Sequence, residues 1–253
     1  MYRGTGVSSG IGLAQARLWH NPVMFDYIPR KSAHSSNELA RFEHARKDLL
    51  QKTDELRGRT ALRVGEDEAA IFDAYHLILT DDEGLLAPLR DMISRQHFSA
   101  EYAVVTQFKA LIRRFARLED DYFRQRVEDL VALRDQLLTT LEGHIRTDLS
   151  HFDRPTSVVA TILSPADVAG LDLSRLEGIV CESGSHSSHM SIIARTLGIP
   201  AVVGAAGIVN NIKSGELVAL DGETGEIWVE PNQREIRMLH HRGDALARRR
   251  AVI

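Results

Sequence analysis

Residues 178–204, GIVCESGSHSSHMSIIARTLGIPAVVG, contain the side chains best suited to chemistry. A short apolar strand is predicted to end near Cys181, and a helix to begin at Ser187 or Ser188, so His189 falls in the first helical turn. The backbone N–H groups of a first turn lack partners within the helix, and the helix dipole is positive there. An anion is therefore favoured beside His189, and a neutral imidazole at this position could carry a phosphoryl group.

Small polar residues surround this histidine and could hold the oxygens of a phosphate. The hydroxyl groups of Ser187, Ser188 and Ser191 are the candidate donors, together with the local backbone N–H groups. Gly184 and its small neighbours leave room for a phosphate donor and acceptor to approach. Arg195 lies six residues beyond the histidine and points to another helix face, so the sequence allows either a structural ion pair or a phosphate contact.

Two other interpretations of this segment stay open. His189 could be a helix-start histidine without a chemical role, since the chain has 11 histidines. Cys181, His186 and His189 are also close enough in sequence to suggest a metal site. Zinc, however, needs four protein ligands, or three and a water molecule, and no fourth Cys or His lies at a useful spacing. We therefore expect no metal here.

The first line of the sequence contains TGVSSGIG, which is similar to the phosphate-binding turn of the short-chain dehydrogenases. In that turn a buried strand leads the chain to a helix N-terminus, but only four residues precede this motif. The required Y-x-x-x-K pattern occurs only at Tyr27 to Lys31, where Pro29 would break the helix. The pattern therefore favours a glycine-rich turn with tight backbone packing over a nucleotide site.

The length, composition and net charge of the chain limit the class of protein. The chain has 253 residues, 43% of them hydrophobic, a formal net charge of -4 and one cysteine. No basic field suggests nucleic-acid binding, and a single cysteine excludes a disulfide framework. The sequence shows no signal peptide and no apolar run near the roughly 20 residues that span a bilayer. We expect a cytoplasmic protein without membrane insertion.

The spacing of apolar residues predicts helices before residue 145 and an α/β region after Pro155. A first helix is expected to begin at Ser36 or Asn37 and to end at Gly58, and Ser99 is expected to cap a later one. The predicted strands after Pro155 are residues 158–163, 176–181 and 201–203, followed by the hairpin LVALDGETGEIWVEP and a charged helix from Asn232.

Between Val64 and Leu89 the sequence has seven carboxylates and no lysine or arginine. The apolar residues between them cannot all be buried on one helical stripe. Such a stretch is either a solvated helix face or an acidic docking surface for a basic partner. The seven residues are Glu66, Asp67, Glu68, Asp73, Asp81, Asp82 and Glu83.

The run Ser188-His189, followed by Ile193-Ala194-Arg195 and LGIPAVVG, resembles the phosphohistidine segment of the phosphoenolpyruvate-utilising enzymes. Within that group the whole chain is similar to the N-terminal part of enzyme I of the phosphoenolpyruvate:sugar phosphotransferase system. The order of parts agrees: a glycine-rich start that binds no nucleotide, a helical insertion, and a swivelling phosphohistidine domain. The helical insertion also resembles that of enzyme I around GEDEAAIFDAYHLILTDDE and LEDDYFRQR.

The resemblance implies an α/β phosphohistidine subdomain, residues 1–33 and 145–231, with an inserted antiparallel helical bundle, residues 34–144. Residues 232–253 would be a linker helix toward a C-terminal barrel that binds phosphoenolpyruvate and Mg2+. No cofactor is expected within this chain itself.

The resemblance also assigns roles to residues. His189 would accept the phosphoryl group through Nε2, and the phosphate would be held by Gly184, Ser187, Ser188, Ser191 and Arg195. His186 stands where relatives have arginine, and Val168 where relatives have a threonine that bonds the active histidine.

The implied partner is HPr, a small phosphocarrier protein that would dock on the helical insertion. Its expected contacts are Asp67, Glu68, His76, Ile78, Leu79, Glu83, Leu85 and Arg126. Two alternatives stay open: a paralogous phosphocarrier, such as a nitrogen-related enzyme I or a dihydroxyacetone-kinase domain, and a non-catalytic acidic interaction module.

Overall fold

The computed structural model describes residues 1–19, 29–117, 121–143, 149–186 and 188–250, with the side chains of 121–126, 247, 249 and 250 excepted. The chain divides into two compact units, Met1–Asn21 with Thr147–Ile253, and Pro22–Arg146. Each unit is described by itself. The mixed α and β class predicted from the sequence is confirmed, whereas the finer predicted boundaries stay predictions.

The first unit contains an eight-stranded mixed sheet in the order β1-β8-β7-β3-β4-β5-β6-β2. Its centre is parallel, with β4 between β3 and β5, and β5 beside β6. The remaining neighbours pair antiparallel. The strands are β1 (Tyr2–Arg3), β2 (Thr5–Ser8), β3 (Ile11–Trp19), β4 (Thr156–Ala160), β5 (Leu176–Cys181), β6 (Ala201–Val203), β7 (Leu217–Asp221) and β8 (Glu226–Val229).

The glycine-rich start joins the two ends of this sheet. Strands β1 and β2, at opposite ends of the strand order, are separated in the chain only by Gly4. A Cβ at Gly4 would lie 2.4 Å from the carbonyl oxygen of Val203, so only glycine allows this approach. The motif continues into strand β3 and not into a helix. It therefore lacks the helix N-terminus that a dinucleotide turn requires.

Two short helices follow the parallel strands. Helix α6 (Pro165–Gly170) starts with a capping box, in which Ser164 Oγ accepts from the Asp167 N–H and the Asp167 carboxylate accepts from the Ser164 N–H. Helix α7 (His189–Thr196) lies between β5 and β6. It ends at Thr196 with Leu197 as C-cap, and the positive φ of Gly198 and the nearby Pro200 stop the helix.

Helix α8 (Gln233–Arg250) packs on the sheet of this unit. Leu239 is buried in one cluster with Ala219 and Trp228, and Asn232 caps the helix by accepting two backbone N–H bonds. Arg242 donates to Asp221 and Glu226, and its hydrogen bond is the main cause that lowers the pKa of the Glu226 carboxyl. The helix predicted from Asn232 is thus docked on this unit.

The second unit is helical. Its elements are α1 (Ser35–Arg63), α2 (Glu66–Thr80), a π-helical turn (Asp82–Leu86), α3 (Ala87–Ser94), α4 (Ala100–Ala116) and α5 (Asp121–Leu141). Large apolar side chains from these helices form its core, among them Phe42, Phe72, Tyr75, Phe108 and Leu133. Ser99 caps α4 as predicted, accepting from the Tyr102 N–H.

The predicted bounds of one helix and one strand differ from the structure, and strand β3 has no predicted counterpart. Helix α1 begins at Ser35 and continues through Gly58 to Arg63, because Leu56 and Thr60 on either side of the glycine are buried and continue the stripe. The strand predicted at residues 158–163 is Thr156–Ala160. Strand β3 was not predicted, since its alternating small and large residues follow directly on the glycine motif. Within the part of the chain that the structure describes, no helix is long and apolar enough to cross a membrane.

Candidate functional site

His189 is the first residue of α7, where the sequence places it. Ser188 is the N-cap, and its Oγ accepts from the Ser191 N–H at 3.3 Å. The imidazole is half-buried, so it is neither enclosed in the core nor fully in solvent. The structure therefore presents one histidine at a helix N-terminus, where backbone N–H groups and the helix dipole favour an anion.

The serines beside His189 are used in local structure. Ser191 is 0% exposed, and its Oγ donates to the Ser185 carbonyl oxygen at 2.7 Å. Ser188 Oγ donates in turn to Ser191 Oγ at 3.0 Å. This corrects the prediction that Ser191 offers a hydroxyl to phosphate, because the side chain faces inward and its proton is already donated. Ser187 lies outside the described residues.

Gly184 supports the loop through its backbone. It lies between β5 and α7 with φ of +124°, and a Cβ there would lie 3.3 Å from Val203 Cγ1. Such a φ strains any residue with a side chain. Gly184 therefore sets the path of the loop that leads to His189.

Arg195 makes backbone contacts and no ion pair among the described residues. Its Nη1 donates to the carbonyl oxygens of His186, at 2.9 Å, and Val7, at 3.2 Å. It also lies 3.4 Å from Nδ1 of the His186 ring. Arg195 and His186 line a hollow of about 370 Å³ with Ser8, Ser9 and residues of the β7–β8 turn. The ion-pair alternative for Arg195 is therefore not what the structure shows.

Two further residues near the site are apolar in character. Val168 is 1% exposed in α6, and its side chain can donate no hydrogen bond. Cys181 is fully buried at the end of β5, and burial raises the pKa of its thiol to about 12. A thiol that stays protonated is a poor metal ligand. Among the described residues no cluster of three His, Cys, Asp or Glu side chains could hold a metal ion.

The acidic stretch in the second unit forms a surface with an apolar element. Leu77, Ile78 and Thr80 line a groove of about 530 Å³ with Asp81, Asp82 and Glu83; we call this the acidic groove. Leu77 is 70% exposed and was not singled out from the sequence. The unusual exposure of a leucine is visible only once α2 is placed.

Arginines from neighbouring helices neutralise part of this acidic stretch. Arg57 of α1 pairs with Glu66 and Asp73, and Arg90 of α3 pairs with Asp82. Neither arginine is predicted from the sequence as a partner of these carboxylates, because both lie outside the stretch between Val64 and Leu89. Of the seven carboxylates of the stretch, those of Asp67, Glu68, Asp81 and Glu83 have no basic partner among the described residues.

The predicted partner-binding residues divide into surface and core. Asp67, His76 and Glu83 are exposed, and Glu68 and Ile78 are half-buried. His76 contacts Asp54 through Nδ1 at 3.1 Å. Leu79 and Leu85 are 0% and 1% exposed, which corrects their prediction as contact residues, because both side chains belong to the helical core. The side chain of Arg126 lies outside what the structure describes.

Comparisons with known proteins agree with this architecture. The family model described as "PEP-utilising enzyme, N-terminal" matches residues 3–126, and "PEP-utilising enzyme, mobile domain" matches residues 152–225. The chain is 30% identical over 250 residues to the phosphoenolpyruvate-protein phosphotransferase of Priestia megaterium, covering 98% of this chain and 43% of that protein. It is 32% identical over 234 residues to that of Listeria monocytogenes, covering 92% and 41%. The chain thus spans about two fifths of these relatives.

Two solved structures share the fold. A solution structure of an enzyme I protein superposes with a TM-score of 0.81 at 25% identity, covering 98% of this chain and 100% of that one. The N-terminal domain of a nitrogen enzyme I gives 0.64 at 27% identity, covering 95% and 98%. With both family models, these relatives and these structures in agreement, the chain belongs to the PEP-utilising enzyme family and has the architecture of an enzyme I N-terminal domain.

Proposed function

We propose that this chain carries a phosphoryl group on His189 and exchanges it with a small phosphocarrier protein of the HPr type. The observation that carries the proposal is the place of His189, half-buried at the first position of α7 and behind a loop of small residues. Membership of the PEP-utilising enzymes supports the same role. In the longer relatives the name phosphoenolpyruvate-protein phosphotransferase indicates the donor, and we infer that donor for the whole protein.

The chemistry follows from a neutral imidazole. The Nε2 lone pair attacks phosphorus in line, the bond between phosphorus and the donor atom breaks, and its electron pair stays with the leaving donor. In exchange with the carrier, the donor atom is a histidine nitrogen of the carrier, and the same step in reverse returns the group. Catalysis at such a centre rests on positioning and charge stabilisation, which the α7 N-terminus supplies through backbone dipoles.

The acidic groove is the proposed docking surface for the carrier. It combines an exposed leucine with the carboxylates of Asp81 and Glu83, which have no basic partner among the described residues. Asp81 Oδ1 accepts from the Gly84 N–H at 2.9 Å. Charge complementarity would steer a basic partner, and the apolar groups would hold it once docked. Rapid, transient exchange needs this kind of surface, since a relay protein must release its partner.

A second candidate is the nitrogen-related branch, which the solved nitrogen enzyme I domain supports. Both candidates use the same histidine and differ in the carrier. Phosphoryl exchange measured against carriers of the sugar and nitrogen types separates them, since the preferred carrier should transfer its group faster. We place either reaction in the cytoplasm, where such carriers work.

The test is transfer of label from a radiolabelled phosphocarrier. We expect the wild-type chain to gain acid-labile, base-stable phosphate, and His189→Gln to gain none. His240→Gln, at an exposed histidine on α8 of the same unit, is the matched control and should label like wild type. Label that persists in His189→Gln contradicts the proposal, because another residue would then accept the phosphoryl group. A wild type that takes up no label also contradicts it and leaves a non-catalytic interaction module.

A further inference from the structure

The loop between β5 and α7 is tied back to the helix that follows it. The Ser185 carbonyl oxygen accepts from Ser191 Oγ at 2.7 Å, and the His186 carbonyl oxygen accepts from Arg195 Nη1 at 2.9 Å. Two consecutive loop carbonyls are thus held by side chains of the first and last turns of α7. The loop leads to His189, so the path of the loop determines the position of the His189 side chain.

The same arginine joins this loop to the edge of the sheet. Arg195 Nη1 carries two hydrogens, and they are accepted by the carbonyl oxygens of His186 and Val7. A second bond between the same elements runs from Ser8 Oγ to the Ala194 carbonyl oxygen at 3.2 Å. Helix α7, its loop and strand β2 therefore meet at one guanidinium nitrogen.

We propose that Arg195 is a positioning residue for the phosphoryl transfer, an inference that rests on the proposed role of His189. Its clamp on the His186 and Val7 carbonyls fixes the loop and the start of α7, and so the approach of phosphorus to Nε2. The helical spacing supports this, because residues six apart do not share a face of a helix. Arg195 therefore acts through the loop and does not touch the phosphoryl group.

The clamp also has an electrostatic consequence. Carbonyl oxygens carry partial negative charge, and one facing the α7 N-terminus would repel phosphate oxygens. Hydrogen bonds from Ser191 and Arg195 keep the carbonyls of Ser185 and His186 turned toward the side chains of α7. Loss of the clamp frees the His186 carbonyl to rotate, which disturbs both the geometry and the local field.

The test compares Arg195→Met, Arg195→Lys and a control, Arg154→Met, in the full chain. Arg154 is an exposed arginine of the same unit that donates to Gln15, so its loss changes the charge equally. We expect Arg195→Met to lower kcat for exchange with the phosphocarrier by about tenfold or more, the scale of a misplaced reacting group, with KM unchanged. Arg195→Lys, whose ammonium can donate to both carbonyls, should recover part of the loss, and Arg154→Met should match wild type.

Hydrogen exchange of the loop amides, measured without any phosphate, tests the clamp independently. We expect the amides of Ser185 and His186 to exchange faster in Arg195→Met and at the wild-type rate in Arg154→Met. The inference is overturned if kcat is unchanged, if KM alone rises, or if loop exchange does not change. If the wild type takes up no phosphate, the role of His189 fails, and unchanged loop exchange would then refute the clamp as well.

Discussion

At the scale of single residues, the predicted nucleophile and the predicted phosphate ligands behave differently. His189 could be placed from sequence because a strand, a small polar loop and a capped helix follow in order, and each has a local signal. The hydrogen bonds of Ser191 and Arg195 could not be predicted from the sequence, because their acceptors are backbone carbonyls whose direction depends on the folded loop. The presence of a serine in the sequence does not indicate which acceptor its hydroxyl group will bond in the folded chain.

Cys181 gives a prediction at this scale. Burial raises the pKa of its thiol from 9.0 to about 12, so the group stays protonated in the folded chain near neutral pH. We expect no reaction with a thiol-specific disulfide reagent at pH 8, and stoichiometric reaction once denaturant unfolds the chain. Rapid modification of the native chain would contradict the buried assignment.

The raised pKa of the Cys181 thiol also makes the unfolding free energy depend on pH. The folded thiol holds its proton more tightly than the unfolded one, so its contribution is fully present below pH 9.0. It is lost progressively as pH rises toward 12, because the unfolded chain then releases the proton first. A Cys181→Ala variant should show a weaker fall of the unfolding free energy across this alkaline range.

At the scale of elements, the helices were predicted more closely than the sheet. Apolar spacing and caps are local, so the cap at Ser99 and the helix from Asn232 could be identified from the sequence. Strand β3 was missed because GIGLAQARLW begins with the glycines of an apparent turn. Those glycines serve close approach of backbones, which depends on segments far apart in the sequence.

A single methyl group tests this use of glycine. In Gly12→Ala the new Cβ would lie 2.4 Å from the Glu177 carbonyl oxygen, so we expect a loss of about 2 kcal/mol or more of unfolding free energy. Gly170→Ala is the control in the same unit, since no atom lies within 4 Å of its Cβ. The unfolding free energies of both variants are measured by thermal unfolding. A Gly12→Ala chain as stable as wild type would refute the close approach of Gly12 to the Glu177 carbonyl oxygen.

At the scale of the whole molecule, the chain has one unit that could carry a phosphoryl group and one with an acidic surface. The sequence identified the excess of carboxylates but not their partners. Arg57 and Arg90 neutralise three of the seven, and Leu79 and Leu85 turn inward. The remaining acidic surface is smaller and more apolar than the charge count alone suggests.

The acidic groove therefore predicts how a carrier binds. We expect Glu83→Lys to lower the association rate constant of a basic carrier and to reduce its dependence on salt. We expect Leu77→Ala to speed dissociation, because an exposed apolar contact is lost. Asp48→Lys, on α1 and paired with His44, controls for charge, and binding kinetics at two ionic strengths measure all three. Equal effects of the Asp48 and Glu83 changes would contradict docking at the groove.

The most direct measurement is nuclear magnetic resonance of the phosphorylated chain with 15N-labelled histidines. After reaction with a phosphocarrier, we predict one new phosphorus–nitrogen coupling, at Nε2 of His189, and its absence in His189→Gln. A coupling at another histidine, or none under conditions in which the carrier is fully charged, would contradict the proposed phosphoryl relay.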